Sequence, residues 1–497
     1  MINEDFFKTR KPICCGQVRE ELWGGLYYSS QQVRINLLNS VATFILQNCN
    51  GINTVEQIVC NLVNEFDIDI EIAKNDVYSF IGQAWSLKYI KFGDAEFPEQ
   101  VTGNQENQDK IVKNNGLNTE LLEYPAVLGM EPNFLSAPIK VLLELTHNCN
   151  LKCVHCFADA KCEVSENGYL EGELNTDEWC RVIDNLVNAG VFGIYLSGGE
   201  PLIRKDFNKI TAHLKKLGID FCLLSNLTLI DEKVAKELLE SGCYKVEGNL
   251  DGFDAESYDS FRGVAGSFEQ TIKGIKACQA VGLPVRANVT ITKKNVMYLK
   301  EIVKTAVNNG ISELSCLLLE PGGRGQTNYD DLALSMEEHI KLKDYYDEVA
   351  NWIYETYKGE FCFIGPLDLI FNEMGRYIPN TYEVENCWPT CGAGKVHASI
   401  SPRGNLILCP AAGEDLVITP RDCLNNDFSM IWKEADVLNK IRSINQVQCK
   451  GCKDMNCAGG CHVTVYKQYG SIGANSDPRC RVQYKKMYKQ SIKEGEK

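Results

Sequence analysis

Residues 139–156 read IKVLLELTHNCNLKCVHC, an apolar strand that runs through a short polar step into Cys149, Cys153 and Cys156, spaced C-x3-C-x2-C. A strand without polar alternation is covered on both faces, which is the pattern of a parallel sheet. Working outward, the same alternation of strand and helix continues to about Leu319. A helix carries Trp179, Val182, Ile183, Leu186 and Val187 in phase; FGIYLS, IDFCLLS, YKVEGNL, PVRANVTI and SELSCLLL then alternate with helices near 206–217, 231–241, 267–281 and 296–309. Six strand–helix units predict an α/β fold built on a parallel sheet, either a partial barrel or a doubly wound fold. Both place their chemistry at the carboxyl ends of the strands, where the three cysteines fall.

The chain is 497 residues long, room for about three domains. Lys and Arg number 51 against 66 Asp and Glu, a formal charge of −15 that repels phosphate backbones, so nucleic acid is excluded as a partner. No run approaches the ~20 apolar residues that span a bilayer, and the N-terminus lacks a signal peptide's apolar stretch. The expectation is a cytoplasmic protein without membrane contact. In a reducing compartment, 23 cysteines argue for metal ligation over a disulfide framework.

Besides the first triplet, Cys387, Cys391, Cys409, Cys449, Cys452, Cys457, Cys461 and Cys480 form a second block. The scattered remainder reads as small buried hydrophobes. Three thiolates within eight residues can hold one face of a [4Fe–4S] cubane and leave an iron open; zinc is the alternative on spacing alone. At the other end of the chain, QVRINLL reads as a strand and SVATFILQNC as a helix. A further helix opens on the capping sequence Thr54-Val55-Glu56-Gln57, and a third has Val77, Phe80 and Ile81 in phase. This compact α+β module is followed by the polar stretch Pro98–Asn118, which reads as a linker.

From Ile139 to Leu319 the chain resembles the radical S-adenosylmethionine (SAM) superfamily. Cys149, Cys153 and Cys156 carry that family's cluster signature, with His155 at a position usually aromatic. Ser197-Gly198-Gly199-Glu200-Pro201 matches the GGEP segment that receives the SAM amino group. SNLTL (225–229) resembles the segment near the ribose, through Asn226, with Leu227 where a glycine is usual. Asn249 opens NLDG where the family has SLDG, and FRG supplies Arg262 for the SAM carboxylate. GGRG (322–325), with Arg324, resembles the turn over the adenosine. The resemblance implies a partial (β/α)6 TIM-like barrel over 138–335 and SAM cleaved to a 5′-deoxyadenosyl radical that abstracts hydrogen.

Cys391-x12-Gly404-x4-Cys409 and Cys449-x2-Cys452-x4-Cys457-x3-Cys461, then Cys480, resemble the SPASM extension of peptide-modifying relatives, with four residues where that pattern usually has five. The resemblance implies two auxiliary [4Fe–4S] clusters, one on Cys387, Cys391, Cys409 and Cys461 and the other on Cys449, Cys452, Cys457 and Cys480, three cubanes in all. Residues 22–95 resemble the RiPP recognition element, a winged-helix α+β module that binds the leader of a ribosomally made precursor peptide as an added strand. A DNA-binding winged helix would need a basic helix, and IEIAKNDVYSFIGQAW offers only Lys74. The organisation read from these features is a recognition element at 1–97, a linker at 98–137, the radical SAM core, a bridging helical region at 336–386 and a SPASM domain at 387–497. It implies a peptide maturase, most often a Cys thioether synthase of the sactipeptide or ranthipeptide type. Such an enzyme draws electrons from a flavodoxin- or ferredoxin-type donor. Carbon–carbon cross-linking and sulfatase-maturase-like oxidation are the alternatives within the class; an electron carrier or a peptide-binding scaffold is the alternative outside it. No general base is singled out by spacing.

Overall fold

The computed structural model describes residues 7–29, 34–93, 117–118, 134–163, 165–365, 392–420, 422–444, 460–473 and 477. The chain divides into two compact units, Met1–Met130 and Glu131–Lys497.

In the first unit β1 (Ile13–Cys14), β2 (Gln17–Glu21), β3 (Gly24–Ser29) and β4 (Arg34–Leu38) precede three helices, α1 (Ser40–Asn48), α2 (Val55–Phe66) and α3 (Ile70–Ser86); β5 (Ile90–Lys91) and β6 (Leu117–Asn118) follow. Each helix starts where a side chain satisfies its free N–H groups. Asn39 accepts from Ala42 and Asp69 from Glu71, and Thr54 and Gln57 form the reciprocal capping box foreseen in the sequence. Val77, Phe80 and Ile81 join Ile45, Leu46, Val55, Ile58 and Leu62 in one buried core against Tyr27. The β2–β3 hairpin was not expected, because its connection exposes Leu22 at 86% instead of marking itself with a polar turn. The linker expectation is corrected at one place: Leu117 and Asn118 pair antiparallel with Leu38 and Leu37, so β6 covers the edge of β4 in the order β2–β3–β4–β6. An edge strand's main-chain groups seek such a partner.

In the second unit the expected alternation is present. β7 (Lys140–Glu144), α4 (Thr176–Asn188), β8 (Gly193–Ser197), α5 (Phe207–Lys216), β9 (Phe221–Leu224), α6 (Glu232–Glu240) and β10 (Cys243–Asn249) follow one another. Then come α7 (Ala255–Arg262), α8 (Ser267–Ala280), β11 (Val285–Ile291), α9 (Leu299–Asn308) and β12 (Glu313–Leu318). Adjacent strands from β7 to β12 are parallel. The sheet is larger than the six strands expected. After α10 (Met336–Tyr357), β13 (Cys362–Ile364) extends it in parallel beyond β12. At the other side β14 (His397–Ile400) lies parallel to β7, with β15 (Leu406–Ile407) and β16 (Val417–Thr419) antiparallel beyond it. The segment assigned to the bridging and C-terminal regions therefore contributes strands to the core sheet. The helices α11 (Phe428–Glu434), α12 (Asp436–Arg442) and α13 (His462–Tyr469) complete the described part.

Alternation along the strands separates two faces. Ile194, Leu196, Phe221, Leu223, Val246, Ala287, Val289, Ile291 and Leu314 enter one apolar core with Trp179, Val182, Ile183, Leu186, Ile210 and Ile302 from the helices. The other face carries Tyr195, Ser197, Glu247, Asn249, Arg286, Asn288 and Ser315. Glu247 is central to it, with Lys245 Nζ at 3.1 Å and Arg286 Nη1 at 3.7 Å. A polar inner face suits a barrel that admits a guest at its strand ends, where a closed TIM barrel is filled by branched aliphatics.

Candidate active site at the carboxyl ends of the strands

The loop after β7 places the three cysteines beside the ends of β8, β9 and β10. It is tied to itself by Cys149 N–H to the Lys161 carbonyl (2.7 Å) and Lys161 N–H to the His147 carbonyl (2.8 Å). Cys149 is buried, and Cys153 and Cys156 are half-buried, around Leu151 and Ala160. The C-terminal turn of α7 grips the loop from outside. Lys152 N–H donates to the Arg262 carbonyl and Val154 N–H to the Phe261 carbonyl, both 2.9 Å. Gly263 ends that helix at φ 67°, where an added Cβ would meet the Lys152 carbonyl at 2.6 Å.

The SGGEP segment closes against the same loop. Gly198 adopts φ 143°, and a Cβ there would stand 2.2 Å from the Thr146 carbonyl. Only glycine accepts both conditions. Glu200 follows, fully buried, its carboxylate accepting from Asn226 N–H (2.7 Å), Ser225 Oγ (2.9 Å) and Leu202 N–H (3.2 Å). Burial outweighs these bonds and lifts its carboxyl to about 7. Asn226 Nδ2 donates to Asn150 Oδ1 (2.8 Å) and lies 3.9 Å from Cys149 Sγ. Leu227 holds φ 66°, a conformation that explains why glycine is usual there, and its side chain occupies the space a Cβ on Gly248 would need. Asn249 stands at the end of β10, half-buried, its carbonyl accepting from the Tyr258 hydroxyl (3.2 Å).

Asp251 and Arg262 form a buried ion pair behind the cysteines. Asp251 also accepts from Thr290 N–H (2.7 Å) and faces His155 Nε2 at 3.5 Å. His155 packs its ring edge-on to Phe261, and burial drives its pKa down to about 4, so it is neutral. Asp251 was not singled out in the sequence; its place in NLDG was the available signal. Arg324 clamps the cysteine loop, donating to the Cys153 carbonyl (2.9 Å) and the Ala160 carbonyl (2.8 Å) and pairing with Asp159 (3.1 Å).

Glu320, at the end of β12, is a second carboxylate that spacing did not reveal. Thr464 of α13 donates to its Oε2 at 3.3 Å, which ties the C-terminal helix to the core site. Cys461 is the N-terminal boundary of α13, and Cys409 precedes the short helical turn Pro410–Leu416 against which α13 packs. Each of these two cysteines, expected in one auxiliary cluster, thus stands at a helix start. Cys387, Cys391, Cys449, Cys452, Cys457 and Cys480 lie outside the described residues.

The cysteine loop suits an iron–sulfur cluster. Burial, with the charge of Glu200 and the two neighbouring thiols, pushes Cys149 up to about 12, and burial likewise raises Cys156. Thiolates so placed need positive charge, which cluster irons supply. Among the described residues no three His, Cys, Asp or Glu side chains converge as a mononuclear ion requires, whereas a cubane spreads its ligands over separate irons.

Residues 143–306 match the model of the radical SAM superfamily, and residues 33–90 that of coenzyme PQQ synthesis protein D. The chain is 30% identical to mycofactocin maturase MftC of Mycolicibacterium smegmatis over 73% of its length and 87% of that protein. The chain belongs to the radical SAM superfamily. It is also 29% identical to an AdoMet-dependent heme synthase of Oleidesulfovibrio alaskensis, over 69% of this chain and 87% of that one. In fold it is similar to Streptococcus suis SuiB bound to precursor peptide SuiA, with TM-score 0.65 at 20% identity over 95% and 98% of the two chains. It is likewise similar to anSMEcpe with bound AdoMet, with TM-score 0.52 at 18% identity over 70% and 94%. Membership implies SAM and a [4Fe–4S] cluster, and the N-terminal unit is a PqqD-type recognition element. No helix among the described residues is long and apolar enough to cross a membrane.

Proposed function

We propose that the protein is a radical SAM maturase of a ribosomally made precursor peptide. The observation that carries this is the joining, in one chain, of a PqqD-type module at 33–90 to a radical SAM core whose relatives include a mycofactocin maturase. That module, absent from the chemistry of SAM cleavage itself, favours a peptide over the tetrapyrrole implied by the heme synthase relatives.

In this reading Cys149, Cys153 and Cys156 hold the SAM-binding cluster, and Glu200 receives the SAM ammonium as a buried carboxylate without a cationic side chain beside it among the described residues. Asn226 and Asn249 line the nucleoside, and the backbone freedom of Gly198 and Gly199 lets the segment close on the ligand. When bound, cluster and SAM together supply the hydrogen-abstracting radical. The protein's own residues orient SAM and exclude water from the site. Leader binding by strand addition concentrates the peptide at the core.

The bond we propose is a Cys thioether, with carbon–carbon cross-linking as the second reading. The support is the eight-cysteine block of the sequence; two auxiliary clusters would accept the remaining electron, and an iron left open where Cys387 is not a ligand would bind the substrate sulfur. An external flavodoxin- or ferredoxin-type protein would supply reducing electrons. Iodoacetamide labelling of the coexpressed precursor peptide separates the readings. A thioether removes one alkylatable thiol and about two mass units of hydrogen per bond; a lighter product with every thiol still free contradicts it.

A further inference from the structure

Arg262 is not placed as a free carboxylate receptor. One arm of its guanidinium pairs with Asp251, and Nη1 donates to Cys153 Sγ at 3.4 Å. The group is buried, with 3% exposure, and is held by the Tyr258 ring, whose centroid is 5.1 Å from the guanidinium carbon. Asp251 is fixed in turn by Thr290 N–H, while its carbonyl accepts from Asn295 Nδ2 (3.1 Å). The ion pair is therefore oriented, its positive end toward the sulfur and its negative end away. Among the described residues, a second cysteine has main-chain and amide donors in place of a cation, Leu151 N–H at 3.4 Å and Asn226 Nδ2 at 3.9 Å from Cys149 Sγ.

We propose that the Arg262–Asp251 pair sets the reduction potential of the SAM-binding cluster through the Cys153 thiolate. The proposal rests on the reading that Cys149, Cys153 and Cys156 carry a [4Fe–4S] cluster. Reduction from the 2+ to the 1+ state adds one electron and no proton, so one more negative charge must be held in a buried site. A fixed cation and an N–H···S bond stabilise that charge more than the oxidised state and raise the potential. Asp251 opposes this from farther away. The two residues thus act in opposite directions: loss of the Arg262 charge lowers the potential, and loss of the Asp251 charge raises it. Arg262 is a positioning and tuning residue in this account, whatever it contributes once SAM is bound.

The test is anaerobic redox titration of the reconstituted full-length protein without SAM, dithionite supplying the electron and electron paramagnetic resonance reporting the reduced cluster. The auxiliary clusters are silenced from the comparison by subtracting the spectrum of the Cys149→Ala, Cys153→Ala, Cys156→Ala variant. Arg262→Gln is expected to make reduction about tenfold less favourable, a shift of ~59 mV to lower potential. Arg262→Lys, which keeps the charge, should recover most of it, and Asp251→Asn should move the potential upward. Assembled clusters with unchanged potential in Arg262→Gln and Asp251→Asn overturn the proposal, as do shifts of the same sign. Weakened SAM binding with an unchanged SAM-free potential overturns it in favour of a carboxylate receptor. A wild-type protein whose spectrum equals that of the triple cysteine variant refutes the cluster reading itself, a separate result.

Discussion

Glu200→Gln isolates the charge that the structure offers to the SAM ammonium. The carboxylate is fully buried, accepts three hydrogen bonds and has no cationic side chain beside it among the described residues. Its pKa is raised from 4.5 to about 7. At 1.36 kcal/mol per unit this is on the order of 3 kcal/mol of uncompensated ionisation. The folded value lies above the unfolded one, so the ligand-free protein loses stability as pH rises from about 4.5 to about 7, and the loss is complete above that. The Gln variant should lack this decline. A bound ammonium supplies the missing counter-charge, and hydrogen bonds between charged groups contribute about 1.5–3 kcal/mol, so the variant should bind SAM 10- to 150-fold more weakly. Wild-type affinity should rise up to pH about 7, as the carboxyl ionises, and fall beyond about 8 as the ligand's α-amino group deprotonates; the variant should lose the acidic limb only. Anaerobic equilibrium dialysis with labelled SAM from pH 5 to pH 9, at matched iron content, measures both effects. A variant within twofold of wild type at every pH refutes the assignment.

Three further outcomes follow from the same geometry. Cys149→Ala with Cys153→Ala and Cys156→Ala should remove about four irons per chain and abolish 5′-deoxyadenosine formation, as iron analysis and chromatography would show. A leader that adds to β4 must displace β6, so Leu117→Pro, which removes one backbone N–H from the competing strand, should tighten binding of the fluorescently labelled leader by up to about tenfold, with SAM cleavage unchanged; equal anisotropy curves would remove β6 from the competition. Leu227→Gly should relieve about 1 kcal/mol of left-handed strain but forfeit roughly 2–3 kcal/mol of burial, a net loss visible as a lower Tm. A higher Tm would contradict the packing described for Gly248.

The core was legible because its strands are continuous apolar runs and its helices repeat at 3.6 residues, so burial dictated both; Trp179, Val182 and Ile183 land where their phase places them. β13 and β14 were not legible, since strands of three and four residues far along the chain carry too little pattern to announce partners such as β7. At the site, cysteine spacing and the SGGEP glycines located the loop because both answer to local geometry. The partners of Arg262 and Arg324 did not follow: a guanidinium's contacts depend on which carbonyls, carboxylates and sulfurs the fold brings within a few ångströms. Asp251 and Glu320 were hidden for the same reason, being single carboxylates in an acidic chain. β6 carries no strand pattern of its own, because two residues in a polar stretch gain their strand conformation from pairing with β4 and not from their own sequence.

The central claim is that the chain abstracts hydrogen from a ribosomal peptide with a SAM-derived radical. Its most direct measurement is a reaction of the reconstituted protein, SAM and reductant with a cysteine-containing precursor peptide whose leader the N-terminal unit binds, the peptide deuterated at its non-cysteine residues. The account predicts peptide-dependent 5′-deoxyadenosine carrying deuterium, with a product about 3 Da lighter per thioether bond, the acceptor carbon losing a deuterium and the cysteine its thiol proton. 5′-Deoxyadenosine without deuterium, together with an unchanged peptide mass, would contradict it.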